Sequence, residues 1–218
     1  MRTPMQSPSN FLARVSAVTA ERAERLMRAP LRAAAFAAPA TASVWDATSL
    51  RTLLSSTLAG QQIIAVSNRQ PHAHCRVDGR LQMTQAASGL VTAVEPVMRA
   101  CGGTWIAHGD GPADREVVDA GDCWHSDAAT GSYRLRRVWL SDAERRGHGD
   151  GFSNTGLWPL CHMAHMRPRF DEADWGRYRE VNQRFADAVV QEARPPDPIV
   201  MVHHPVGAYR TDGAVPMA

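Results

Sequence analysis

The chain has 218 residues, enough for one large domain or a small pair, and its 44% hydrophobic content supports a folded core and excludes a disordered polymer. Its 24 basic and 22 acidic residues leave a formal charge of +2, which gives no electrostatic case for nucleic acid as a partner. No apolar run approaches the roughly 18 residues of a membrane-spanning helix, and Cys75, Cys101, Cys123 and Cys161 lack CxxC spacing, so the sequence predicts a cytoplasmic protein with reduced thiols.

Residues 1–60 are rich in Ala, Arg, Ser and Thr and read as a variable extension, partly disordered or helical. An amphipathic helix is predicted between Phe11 and Met27, and a second short one from about Trp45 to Leu58 that docks on the domain edge. Ile63-Ile64-Ala65-Val66 is a continuous apolar run bounded by polar residues, the pattern of a strand buried on both faces of a parallel sheet. Ser67, Asn68 and Arg69 follow at its carboxyl end, the edge of an α/β sheet where ligands collect, and the Arg69 guanidinium suits a phosphate. A long polar loop is expected next, then a helix from Gly89 with Leu90, Val91, Val94, Val97 and Met98 on one face, closed by Cys101-Gly102-Gly103. A glycine at that helix start lets a ligand phosphate approach backbone N–H groups, although a single glycine is a far weaker signal than GxGxxG.

Thr104-Trp105-Ile106-Ala107 predicts a second strand, completing a βαβ unit. Residues 117–130 read as a polar meander, and Tyr133 to Leu140 as an outer strand of the same sheet. Ser141 with Glu144 three residues on marks a capping box for a short helix stopping at Gly147. The following segment, His148 to Leu160, is glycine-rich and contains Trp158, whose ordinary role is in a core but whose ring also suits the C–H face of a sugar. A long helix is predicted from Glu172 to Glu192, then a buried strand, Ile199 to Val202, ending in His203-His204.

Six stretches carry a family resemblance: Val66-Ser67-Asn68-Arg69, Ser88 to Pro96, Gly102-Gly103-Thr104-Trp105, Gly151-Phe152-Ser153-Asn154, Leu157 to His162, and Val181 to Ala186. In this order and spacing they resemble the amino-terminal domain of the trehalose-6-phosphate synthases, retaining glycosyltransferases of family 20. The resemblance implies an α/β fold with a Rossmann-like parallel sheet, the amino-terminal half of a GT-B glycosyltransferase, over residues 61–202. It implies transfer of glucose from UDP-glucose to glucose 6-phosphate, with no cofactor and no metal.

Carried over by position, Arg69 and Trp158 match acceptor-binding residues, and Gly89 matches the glycine whose amide faces the donor diphosphate. Two positions depart from the family: Gly149 stands where a tyrosine touches the acceptor phosphate, and His204 stands where an aspartate holds the acceptor sugar. Beyond His204 the resemblance ends, so residues 203–218 are expected to be an aberrant tail. The chain is then expected to be a truncated, catalytically inactive fragment, which uses UDP-glucose only if a donor domain is supplied. Two alternatives stand beside this: a non-catalytic sugar-phosphate-binding fragment, and a relative of the glucosylglycerol-phosphate synthases, which share the fold and many motifs. A metal site from Cys161, His162 and His165 with His203-His204 is a third possibility, but the spacing matches no standard zinc pattern.

Overall fold

A computed structural model describes residues 46–57, 61–126, 131–162, 165–195 and 198–203. The expected helix over 11–27 and the chain from His204 onward lie outside the described residues. In chain order the elements are α1 (Ala47–Thr57), β1 (Ile63–Arg69), β2 (His72–Val77), β3 (Arg80–Gln85), α2 (Gly89–Cys101) and β4 (Thr104–His108). They continue with β5 (Cys123–His125), β6 (Arg134–Val138), α3 (Asp142–Arg145), a π-helical segment (Arg146–Leu157), α4 (Trp158–Cys161), α5 (Glu172–Glu192) and β7 (Ile199–Val202).

Five strands form one sheet in the order β5-β6-β4-β1-β7. β7, β1, β4 and β6 run parallel, and β5 pairs antiparallel at the edge. Strand β1 sits inside this sheet, and the period of two along it splits the core into two layers. Ile63 and Ala65 face α2 with Val91, Met98, Trp105, Ala107, Tyr133 and Leu135. Ile64 and Val66 face α5 with Ile106, Val181, Phe185, Ala188 and Val189. This explains the unbroken apolar run: both pleat directions meet a helix, so neither tolerates a polar side chain.

Helix α2 begins where predicted. Ser88 caps it, accepting from Val91 N, and Gly102 closes it in the left-handed conformation at φ 66°. The αL cap places the next turn so that Gly103 passes close to Ile63, where an added Cβ would run into the Ile63 carbonyl oxygen. Helix α1 packs on α2, and Arg51 Nε donates to Ala100 O at 3.2 Å. None of the described helices is long and apolar enough to cross a membrane.

Four expectations are corrected. The polar loop after Arg69 is a β-hairpin, β2 paired with β3, turning at Asp78 and Gly79, both with positive φ. Asp-Gly between alternating strands is the sequence signal for this turn. The meander over 117–130 contains strand β5, so the strand at 134–138 is not the outer one. The capping box at Ser141 and Glu144 forms as expected, but the helix does not stop at Gly147: the chain continues helically, as the π-helical segment, to Leu157.

The hairpin is tied to the sheet by polar groups, because β3 is exposed along its whole length. Arg137 on β6 is fully buried, donating to Gln70 Oε1, Asp114 O and His72 O and pairing with Asp114 Oδ1 at 3.0 Å. The Asp114 carboxylate, also fully buried, accepts from His74 N at 2.7 Å and Gly111 N at 2.7 Å. Burial pushes the Arg137 guanidinium below its ordinary value, partly offset by Asp114. A second buried carboxylate, Glu95 on α2, receives His72 Nε2 at 2.8 Å, Gln85 Nε2 at 2.7 Å and the Arg99 fork. Burial alone would raise Glu95, but the bonds from His72 and Arg99 outweigh it and hold its pKa below the usual value.

Removing one member of a buried pair leaves the other charge uncompensated. Arg137→Met is expected to destabilise the fold by about 3 to 5 kcal/mol in urea unfolding, and Arg137→Met with Asp114→Asn by less than the sum of the single changes. Strict additivity would show that the pair is not coupled.

Candidate functional site

A cleft of about 430 Å³ opens at the carboxyl ends of β1, β4 and β7. Open parallel sheets collect ligands there because the helix following each strand points its first N–H groups into that edge. Arg69, the last residue of β1, lines it with Asn68. Ser88 and Leu90 come from the start of α2, His108 from the end of β4, and Arg145, Gly149, Asp150 and Asn154 from the helical segment after β6.

Arg69 reaches the cleft because β1 carries a bulge. Ser67 pairs with Ala107 and Arg69 with His108, so Asn68 is the extra residue. A bulge re-aims the side chain that follows it. The distorted end is fixed from inside: Trp105 Nε1 donates to Ser67 Oγ at 2.8 Å, and Ser67 Oγ donates to Arg69 O at 2.8 Å. Gln70, buried next to it, donates to Asp110 Oδ1 and Asp114 Oδ2 and accepts from Arg137. Arg69 is thus an exposed cation on a rigid backbone, and its guanidinium has no partner among the described residues. Asn68 Oδ1 is buried without a hydrogen bond. His108 is buried, which lowers its pKa and favours the neutral imidazole.

Gly89 and Gly149 share a property. At each, an added Cβ would meet open space and φ lies outside the left-handed region, so the fold itself does not require glycine. Gly89 opens α2 immediately beside the cleft residues Ser88 and Leu90. Gly147, Gly151 and Gly156 are different: Cβ atoms there would strike Arg177, Asp174 and Phe170. These glycines bring the π-helical segment against α5 and its flank, which is why a glycine-rich stretch is helical here. Phe152 fills the same seam, with ring centroids 4.7 Å from Tyr178 and 5.0 Å from Trp175.

Trp158 is not among the residues lining the cleft. It is exposed at the start of α4 and stacked on His162 at 4.7 Å. His204 lies outside the described residues; its neighbour His203 lines the cleft. The His162 ring is engaged with Trp158 O, Cys161 is exposed, and among the described residues no three His, Cys, Asp or Glu side chains converge as metal ligands. Sequence reasoning missed His108, Arg145 and Asp150 as cleft residues. A polar residue ending a buried strand was the available signal for His108, and none existed for the other two.

Behind the cleft wall His148 is fully buried, stacked on Tyr178 at 5.3 Å, with neither ring nitrogen hydrogen-bonded. Burial, with a smaller effect of His108, pushes its pKa from 6.5 to about 4. The folded state therefore holds this ring neutral while the unfolded chain takes up a proton below pH 6.5. Its contribution to stability is full above that value and declines as pH falls toward 4. His148→Phe keeps the stack and removes the titration, so its unfolding free energy should lose about 3 kcal/mol less than the wild type between pH 7 and 4. Equal pH slopes in urea titrations would refute this.

The glycosyltransferase family 20 sequence model matches residues 61–204. The trehalose-6-phosphate synthase of Mycolicibacterium gilvum (strain PYR-GCK) is 36% identical over 137 residues, 62% of this chain and 26% of that protein. The trehalose-6-phosphate synthase of Mycobacterium tuberculosis (strain ATCC 25618 / H37Rv) is 34% identical over 145 residues, covering 64% and 28%. The crystal structure of an alpha,alpha-trehalose 6-phosphate synthase from Burkholderia multivorans superposes with a TM-score of 0.48 at 25% identity, over 66% of this chain and 28% of that one. The chain spans about a quarter of the length of the curated relatives it matches.

Proposed function

The chain belongs to glycosyltransferase family 20, and from that membership we propose that its sheet is the amino-terminal, acceptor-binding half of a two-domain GT-B glycosyltransferase. The cleft at the ends of β1, β4 and β7 is the seat of a sugar phosphate. The reaction served makes trehalose 6-phosphate, the product in the relatives' name, and in this reading glucose passes from UDP-glucose to glucose 6-phosphate with release of UDP. Arg69 carries this reading, as a cation at the bulged end of β1 that lines the cleft and has no partner among the described residues.

In this reading Arg69 holds the acceptor phosphate and so fixes the sugar against the sheet edge. The first amides of α2, beginning at Gly89, face the donor diphosphate, and the absence of a Cβ there lets an oxyanion approach the backbone. Neutral His108 offers one ring nitrogen as donor and the other as acceptor, which suits sugar hydroxyls. Trp158, exposed on α4, matches the family's acceptor-pocket tryptophan and is kept in that role in this reading. No metal enters.

The 218 residues as a separate protein are proposed to bind acceptor without turning it over. Stabilising the departing diphosphate is the largest electrostatic demand of such a transfer. Beside Gly89 the described residues bring backbone amides and the Ser88 hydroxyl to that task. One charge-assisted contact is worth about 1.5 to 3 kcal/mol, against the several kcal/mol that immobilising a small ligand costs. Millimolar binding of glucose 6-phosphate is therefore expected by isothermal titration, weakened about tenfold or more by Arg69→Ala. UDP release that depends on both UDP-glucose and glucose 6-phosphate would refute the absence of turnover, and undiminished binding by Arg69→Ala would refute the site.

A further inference from the structure

Arg69 is not the only cation at the cleft. Arg145, the last residue of α3, lines the same space. Its ion pairs are long and exposed: 3.5 Å from Nη1 to Asp150 Oδ2 and 3.9 Å from Nε to Asp142 Oδ1, with almost half of its side chain in solvent. Such pairs contribute little and are readily exchanged. By contrast the other cleft carboxylate, Asp110, is held by Gln70 Nε2 at 2.5 Å. Two arginines line one space, and the His108 ring has no partner among the described residues, which leaves polar capacity that a ligand would satisfy.

We propose that Arg145 is the second phosphate-binding residue of the cleft, forming with Arg69 a two-arginine clamp on a sugar monophosphate, and that Asp150 is its internal competitor. This rests on the acceptor-site reading above. With the cleft empty, Asp150 partly neutralises Arg145 and lessens its repulsion from Arg69. A phosphate dianion carries more charge and offers the guanidinium fork two oxygens, so it displaces the longer carboxylate contact. Gly149 lies between the two partners in sequence with open space over its Cα. No side chain there shields Arg145 from the ligand. Arg145 thus supplies by charge what a hydroxyl at position 149 would supply by hydrogen bonding.

The test is isothermal titration of the full 218-residue chain with glucose 6-phosphate, and with glucose as the uncharged comparison. Arg145→Ala is expected to weaken glucose 6-phosphate about tenfold, Arg145→Lys to restore part of that loss, and Asp150→Asn to tighten binding severalfold. Asp150→Asn with Arg145→Ala should bind as weakly as Arg145→Ala alone, and all variants should keep the wild-type unfolding midpoint. Arg69→Ala abolishing binding while Arg145→Ala leaves it unchanged would overturn the clamp and leave the acceptor site standing. Tightening by Asp150→Asn that persists without Arg145 would overturn it equally. Absence of binding by the wild-type chain, or indifference to Arg69→Ala, would remove the acceptor site and the clamp with it.

Discussion

The buried pairing of Arg137 with Asp114 is the constraint on which the upper half of this structure depends. Its two charges are fully enclosed, and a pair in that position is tolerable only when the remaining donors and acceptors are also satisfied. Here they are, by Gln70, His72, His74 and Gly111, and these partners come from β2, from the loop after β4 and from the residue following Arg69. A polar core therefore does what apolar packing cannot do for a hairpin whose outer strand is exposed throughout. It also fixes the backbone of the candidate site. Gln70 joins Asp110, Asp114 and Arg137, so the end of β1 and the loop after β4 cannot move independently.

The site's other wall packs its glycines against side chains of α5. Gly147 and Gly151 lie four residues apart and face Arg177 and Asp174 of α5, and Phe152 packs among Tyr178, Trp175 and Phe170. A side chain at Gly147 would run into the Arg177 stem near its Cβ, and one at Gly151 would displace the Asp174 carboxylate. The widened helical winding has a cost, since π-helical hydrogen bonding is rare over long runs. That such winding borders the cleft agrees with its tendency to occur at functional sites. Strand ends and the helical segment after β6 both contribute to the cleft, and Arg69 and Arg145 both line it.

Much of this was legible in the chain. The run Ile63 to Val66 requires burial on both faces, and Ser88, Gly102, Ser141 and Glu144 are local devices that cap helices whatever surrounds them. The bounds of α5 and β7 follow from periodicity and from Pro195 and Pro198. These succeed because each is a property of a few consecutive residues: a side-chain period, a cap hydrogen bond, a fixed φ. The Asp78-Gly79 turn was equally local and went unread because the strands flanking it are polar, so alternation did not announce a core.

What only the tertiary structure decided depends on partners distant in sequence. Whether a glycine is a hinge or a contact point is settled by what stands opposite it, and Gly147 and Gly151 meet residues more than twenty positions away. Arg137 reads as one more charge on an alternating strand, and only the approach of Asp114 and Gln70 makes its burial possible. Trp158 is exposed at the start of α4, where its ring stacks on His162. Arg145 and Asp150 become cleft residues solely because the segment carrying them winds onward past Gly147. Local chemistry thus fixed the strands, the caps and the first cation of the site, while long-range packing chose which other charges would face it.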